Sequence, residues 1–242
     1  MLIEDLKKVW WKRVIKNGIK DKEITVKVES LTSQEAIGSP LKREYPLLKG
    51  KESLIQASIE NSFGQAFVDE PASFSGALED VKNLPLNSNK NRGIFIATVN
   101  ATYRYLGLVD NTIHCKNDGP EVCARKIAEQ LSKDFPGAKI GIIGFQPAIV
   151  THLSKLFKIR VGDMDIENIG KTKEGVLIES WELDRDIIEW SDIVLATGSS
   201  IVNNSIDSII EASKGKKLFF FGVTISALAY EFGFNRLCFE AT

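Results

Sequence analysis

Apolar positions change their spacing along the chain, and each change marks a new kind of element. Between Met1 and Lys16, the residues Leu2, Ile3, Leu6, Val9 and Val14 form a helical stripe among five basic and two acidic residues, which predicts an opening helix over Ile3 to Lys16 rather than a secretion signal. Trp10, Trp11 and Val14 belong to the same packing face. Alternating segments follow at Ile24 to Val28 and Leu54 to Ser58, then helical patterns at Ser75 to Asn83 and Arg92 to Leu106. Strands followed by helices predict an α+β unit. The turn Asn117-Asp118-Gly119-Pro120 closes it, and Pro120 suits the first position of a helix running to Asp134. A length of 242 residues leaves room for two cores, so the expected domains are 1–116 and 117–242.

Beyond Lys139 the pattern becomes a series of short apolar runs: Ile140 to Ile143, Lys158 to Gly162, Val176 to Ile178, Ile193 to Ala196, Leu218 to Phe221 and Leu237 to Phe239. Runs apolar on both faces predict a parallel sheet covered by helices, so the expected class is α/β with a Rossmann-like second domain. In such a sheet ligands lie beyond the carboxyl ends of the strands, which directs attention to the residue after each run. At the first end, Gly144 permits a tight turn, Gln146 follows, and Pro147 opens a helix. The glycine pattern of a dinucleotide fingerprint is missing there. At the second, Asp163 stands about twenty residues further on, where a ribose diol would be held. If that stretch stays extended, Asp163, Asp165 and Glu167 share one face and call for a cation; a solvated acidic loop is the alternative. At the third, capping of the next helix accounts for Asn203, Asn204 or Ser205 but does not require Thr197, Gly198, Ser199 and Ser200 as well, which favours ligand contact there. Thr224 ends the next run in a similar way.

Composition narrows the function. Apolar residues at 43%, charged residues at 26% and a net charge of -1 leave no basic excess for nucleic-acid binding. No stretch approaches a membrane span, and three cysteines form no even disulfide framework, so a cytoplasmic protein with reduced thiols is expected. The Gly-x-Ser-x-Gly elbow, the phosphate-binding Walker loop and the His-Glu-x-x-His pair do not occur.

Five stretches carry a family likeness: Gly64-Gln65-Ala66-Phe67-Val68-Asp69-Glu70-Pro71, His114-Cys115-Lys116, Gly144-Phe145-Gln146-Pro147, Thr197 to Asn203, and Phe221 to Ile225. Together they resemble the uncharacterised family known as "putative heavy-metal chelation". The resemblance implies an enolase N-terminal-like first domain, a Rossmann-like second domain and a site between them. On it, Gly144, Gln146, Asp163, Thr197, Ser199 and Asn203 would come from the second domain. Asn61, Phe63, Gln65, Asp69 and Asn100 would come from the first.

His114, Cys115 and Cys123 could ligate a thiophilic metal, although their spacing matches no paired-cysteine zinc signature and Cys123 equally suits an apolar helix face. His152 reads as a satisfied buried histidine. Three functions remain open. The first is a protein that binds a small polar metabolite or metal complex in an interdomain cleft, in a process of heavy-metal chelation and together with a metal ion. The second is a transferase using an adenosyl cofactor, with Gly144 under its tail and Asp163 on its ribose. The third is a non-catalytic domain that acts by oligomerising, as a homodimer.

Overall fold

A computed structural model describes residues 1–20, 25–40, 45–50 and 52–242, with the backbone alone for 25–28 and 46. Helix α1 (Leu2–Lys16) buries Ile3, Leu6, Trp10 and Val14, as their helical spacing requires. The first sheet contains β1 (Thr25–Ser30), β2 (Ser53–Ile59), β3 (Ser62–Val68) and β4 (Phe74–Ala77) in the antiparallel order β3-β2-β1-β4. Helix α2 (Ser33–Ile37) is closed by a Thr32–Glu35 capping box. Ile24, where the first alternating segment was expected to begin, lies outside the described residues.

Two expectations are corrected here. β3 was not foreseen, because its alternation is broken by Gly64, whose missing Cβ lets the strand approach the backbone of Asn100 and Ala101. The helix expected from Ser75 begins only at α3 (Leu78–Asn83). Residues 75–77 instead pair with β1, and the Ala77 N–H bonds to Asp80 Oδ2 at 2.8 Å.

Helix α4 (Asn89–Tyr105) is buried without interruption from Arg92 to Tyr103, so it is enclosed on all sides rather than amphipathic. One side lies on β2 and β3, and another meets α9 (Ser226–Phe232) of the second half. The second half adds α5 (Gly119–Asp134), β5 (Lys139–Ile143), α6 (Pro147–Leu153), β6 (Lys158–Asp163), β7 (Thr172–Lys173), β8 (Val176–Ser180), α7 (Asp184–Trp190), β9 (Ile193–Thr197), α8 (Ile206–Ala212), β10 (Lys217–Phe221) and β11 (Asn235–Leu237). Its strand order is β11-β10-β9-β5-β6-β8-β7, parallel throughout except for the β7–β8 hairpin. The chain winds outward from β5 through β6 to β8, then returns to β9 and winds the opposite way. β5 and β9 therefore flank a topological switch point.

Helices α5 and α6 cover one face of this sheet through Ile127, Leu131, Ile149 and Leu153. The other face, with α7, α8 and α9, joins α1 and α4 in a single cluster that holds Phe95, Ile143, Val194, Phe220 and Leu228 together. The largest core thus runs across both halves of the chain.

Candidate functional site

The strand ends after Ile143, Gly162, Ala196 and Phe221 open into one cavity of about 550 Å³. Parallel strands force this convergence, since every strand from β5 to β11 except β7 points its carboxyl end the same way. The first half closes the cavity with Tyr45, Glu52, Phe67, Asp69 and Asn89.

Gly144 sits at the switch point with φ of 96° and donates its N–H to the Gly162 carbonyl at 2.8 Å. A Cβ there would lie 2.7 Å from Thr197 Cγ2, so glycine serves both the turn and the contact between β5 and β9. Gln146 lines the cavity but spends its Oε1 on the Ile149 N–H (2.6 Å) as the cap of α6. Thr197 and Ser199 also line it and share a hydroxyl–hydroxyl bond of 2.8 Å. Asn203 accepts from the N–H and hydroxyl of Ser205, while Thr224 accepts the Phe67 N–H at 3.0 Å; both face the cavity.

Asp163 lines the cavity beside Asp165, but the acidic stretch is not extended. It folds into successive side-chain turns, in which the Asp165 N–H bonds to Asp163 Oδ1 (3.0 Å) and the Glu167 N–H to Asp165 Oδ1 (2.9 Å). Asn168 donates to Asp163 Oδ2 at 2.9 Å. The expected three-carboxylate face is therefore absent. The Asp163 carboxylate takes its hydrogen bonds from backbone and amide groups.

Five residues expected at the site stand away from it, one of them Phe63 in β3. Asn61 is exposed in the β2–β3 turn. Gln65 is buried and braces the structure, donating to Gln56 Oε1 (2.8 Å) and accepting the His114 N–H (2.7 Å). Asn100 is buried too: its amide donates to the carbonyls of Gln65, Val223 and Thr224, and its Oδ1 accepts from the Ala227 N–H. Gly198 packs behind the cavity, where a Cβ would meet Ile225 and the Phe221 carbonyl at about 3 Å. Of the remaining first-half candidates, Asp69 reaches the rim and accepts from Asn89 at 2.7 Å.

The cavity has two chemically distinct ends. Toward β6 and α7 stand Asp163, Asp165, Asp184 and Glu52, with Asp69 close by, and neither lysine nor arginine occurs among the described lining residues. Burial raises the Asp184 carboxyl to about 7, helped by repulsion from Asp163. Glu52 is raised to about 7 by burial and by Asp163, Asp69 and Asp165. Asp163 is likewise raised by burial, against its hydrogen bonds.

Toward β10 and β11 stand Cys115, Cys123 and Cys238, with Ala124, Ile127 and Leu237 around them. His114, stacked edge-on against Phe67, is driven down to about 4 by burial and stays neutral. Among the described residues, no three His, Cys, Asp or Glu side chains converge closely enough to hold a metal ion. His114, Cys115 and Cys123 therefore share a wall without forming a three-ligand centre. His152 is satisfied by Glu121 at 3.2 Å.

Tyr45, Glu52, Asp184 and Cys238 were not foreseen, whereas Ser200 belongs to the Thr197–Ser200 stretch to which the strand-end rule had pointed. Cys238 lies inside the expected run Leu237 to Phe239; because β11 is Asn235–Leu237, the strand ends earlier than expected and leaves Cys238 at its carboxyl end. Tyr45, Glu52 and Asp184 sit in segments without a motif, and only the tertiary fold brings them in.

A profile of the DUF364 family, described as "Putative heavy-metal chelation", matches residues 127–237, just under half of the chain. The fold is similar to that of a DUF364 protein of unknown function from Pyrococcus horikoshii, at 18% identity and a TM-score of 0.57, covering 93% of this chain and 80% of that one. A second such protein, from Desulfitobacterium hafniense, gives 17% identity and a TM-score of 0.50 over 76% of this chain and 74% of its own. No curated protein shows significant similarity to the chain.

Proposed function

We propose that the protein binds a small, positively charged polar ligand in the cavity at the β5–β9 switch point, in a process of heavy-metal chelation. One observation carries this reading: all the ionised groups available to the ligand at neutral pH on the β6 side are carboxylates, and neither lysine nor arginine occurs among the described lining residues. Such a lining attracts cations and repels phosphates. The missing three-ligand cluster argues for a metal complex or an organic cation over a bare ion, because a bare ion needs its ligands from the protein. Buried polar atoms without a partner, Ser200 Oγ, Asp184 Oδ1 and Tyr45 Oη, stand in the same lining and offer a ligand hydrogen bonds.

On this reading the chain divides at 116/117 into an enolase N-terminal-like lobe and a Rossmann-like lobe. The strand order β8-β6-β5-β9-β10-β11 supports the second assignment. An adenosyl-sulfonium cofactor is the organic cation that would suit both the strand ends and the charge, with its ribose on Asp163.

Calorimetric titration tests the proposal. S-adenosylmethionine, spermidine, and citrate complexes of Ni(II) and Co(II) are compared with NAD and ATP. At least one cationic or metal-complex probe should bind, with Asp184→Asn weakening it about tenfold, the loss of one charge-assisted contact. Binding of NAD or ATP that Asp184→Asn leaves unchanged or improves would sink it.

A further inference from the structure

All three cysteines of the chain line the same cavity, and two of them are held against each other from separate elements. Cys123 lies on the second turn of α5, and Cys238 follows β11. The Phe239 N–H bonds to Cys123 Sγ at 3.3 Å. Since the Phe239 nitrogen is one peptide bond from Cys238, Cys238 Cα lies within about 6 Å of Cys123 Sγ by bond lengths alone. The two cysteines thus stand next to each other at the β11 end of the cavity, close enough for a small local adjustment to join them.

The surroundings suit a thiolate. Arg236 shares the strand face of Cys238, two residues earlier, and is fixed by bonds to the Gly222 and Asn111 carbonyls at 2.9 and 2.6 Å. Gly222 follows Phe221, the partner of Leu237, and so stands level with Cys238 at the end of the β10–β11 pairing.

We propose that Cys238 is a peroxide-reactive cysteine and Cys123 its resolving partner, so that oxidation closes a disulfide across the β11 end of the cavity. In the first step the Cys238 sulfur attacks one oxygen of a hydroperoxide. The O–O bond breaks, and the departing oxygen takes a proton to leave as water or an alcohol. In the second, Cys123 sulfur attacks the Cys238 sulfenic acid, an S–S bond replaces the S–O bond, and the oxygen leaves as water with the Cys123 proton. Two thiols lose two electrons, and one peroxide is reduced.

The titration of the groups agrees. The Cys123 hydrogen bond, with help from Arg236 and against burial, lowers Cys238 to about 6, while Cys123 is raised by the same bond and by burial. Cys115 is pushed up to about 12, by burial first and then by the charge on Cys238, and stays a thiol. The inference is independent of what occupies the acidic end.

The test uses the full reduced chain with stoichiometric hydrogen peroxide, followed by alkylation and peptide mass spectrometry without reductant. The expected product is a cross-linked pair of peptides carrying Cys123 and Cys238, lighter by two hydrogens. It should form equally in Cys115→Ser and return to thiols with dithiothreitol. Cys123→Ser should instead leave a sulfenic acid on Cys238 that dimedone traps. The rate of peroxide consumption should rise with a midpoint near pH 6, where an ordinary thiol is about a hundredfold less ionised than Cys238. A Cys115–Cys238 disulfide, equal reaction of all three cysteines, or a midpoint above pH 8 would overturn the proposal. Circular dichroism of each variant verifies that the fold is retained.

Discussion

Replacing Asn100 with alanine separates a structural role from a ligand role more sharply than any other single change. Its side chain lies on α4 and makes four bonds to other elements: Nδ2 reaches the carbonyls of Gln65, Val223 and Thr224 at 3.0, 3.3 and 3.2 Å, and Oδ1 accepts the Ala227 N–H at 2.9 Å. Truncation leaves the buried Ala227 N–H unpaired, at about 1–3 kcal/mol, and removes the donors from three carbonyls, at about 1 kcal/mol more. A loss of about 3 kcal/mol follows, which for a chain of this length lowers Tm by roughly 6–12 °C. Asn100→Asp keeps the acceptor for Ala227 but aims an anion at three carbonyls. It should therefore be at least as damaging at neutral pH and recover partly in acid, when the carboxyl protonates. Differential scanning calorimetry reads both variants, with calorimetric titration of the best cationic probe alongside. If Asn100→Ala melts within about 2 °C of the wild type yet no longer binds the probe, the brace is refuted and Asn100 is a ligand contact.

Gly144→Ala forces a side chain into φ of 96° and against Thr197, so it should cost about 3 kcal/mol in urea denaturation and abolish probe binding even where it folds. Asp184 holds its proton more tightly in the folded chain than in the unfolded one, so its stabilising effect is full in acid and is lost as pH rises through about 7. The Tm of Asp184→Asn relative to wild type should accordingly climb from about pH 4 to about pH 7 and level off above it, and a constant difference across that range would contradict the assigned burial. Exhaustive treatment with a chelator should leave the melting curve unmoved, because no described trio of ligands ties the fold to an ion; a fall of several degrees would reveal one.

The parallel sheet was legible because its strands are written as uniform apolar runs. Ile193 to Ala196 and Leu218 to Phe221 fall within β9 and β10 almost to the residue. From those runs the rule of strand ends found Gly144, Asp163, Thr197, Ser199 and Thr224 without knowledge of the strand order. The antiparallel half was harder to read. β3 owes its place to a glycine that accommodates α4, and the strand at 75–77 exists because β1 offers a partner, which no local pattern encodes. The same limit applies to the site. Gln65 and Asn100 look like recognition residues in sequence, since a buried amide that braces three segments has the same composition as one that binds a ligand. Asp184 resembles an ordinary acid in the first turn of a helix, and only the packing of α7 against β6 brings it toward Asp163.

The enclosure of α4 bears on how the protein must be made. While the chain is being synthesised, α4 is complete before β9, β10 and α9 exist to cover its outer side, so Phe95, Ile96 and their neighbours emerge into water on a sheet that shields only part of them. The first half is then a sticky intermediate whose lifetime is set by translation of the second. Slow codons between Tyr105 and Ser226 would lengthen that exposure and favour aggregation. Supplying the two halves as separate polypeptides would ask α4 to find its cover by diffusion.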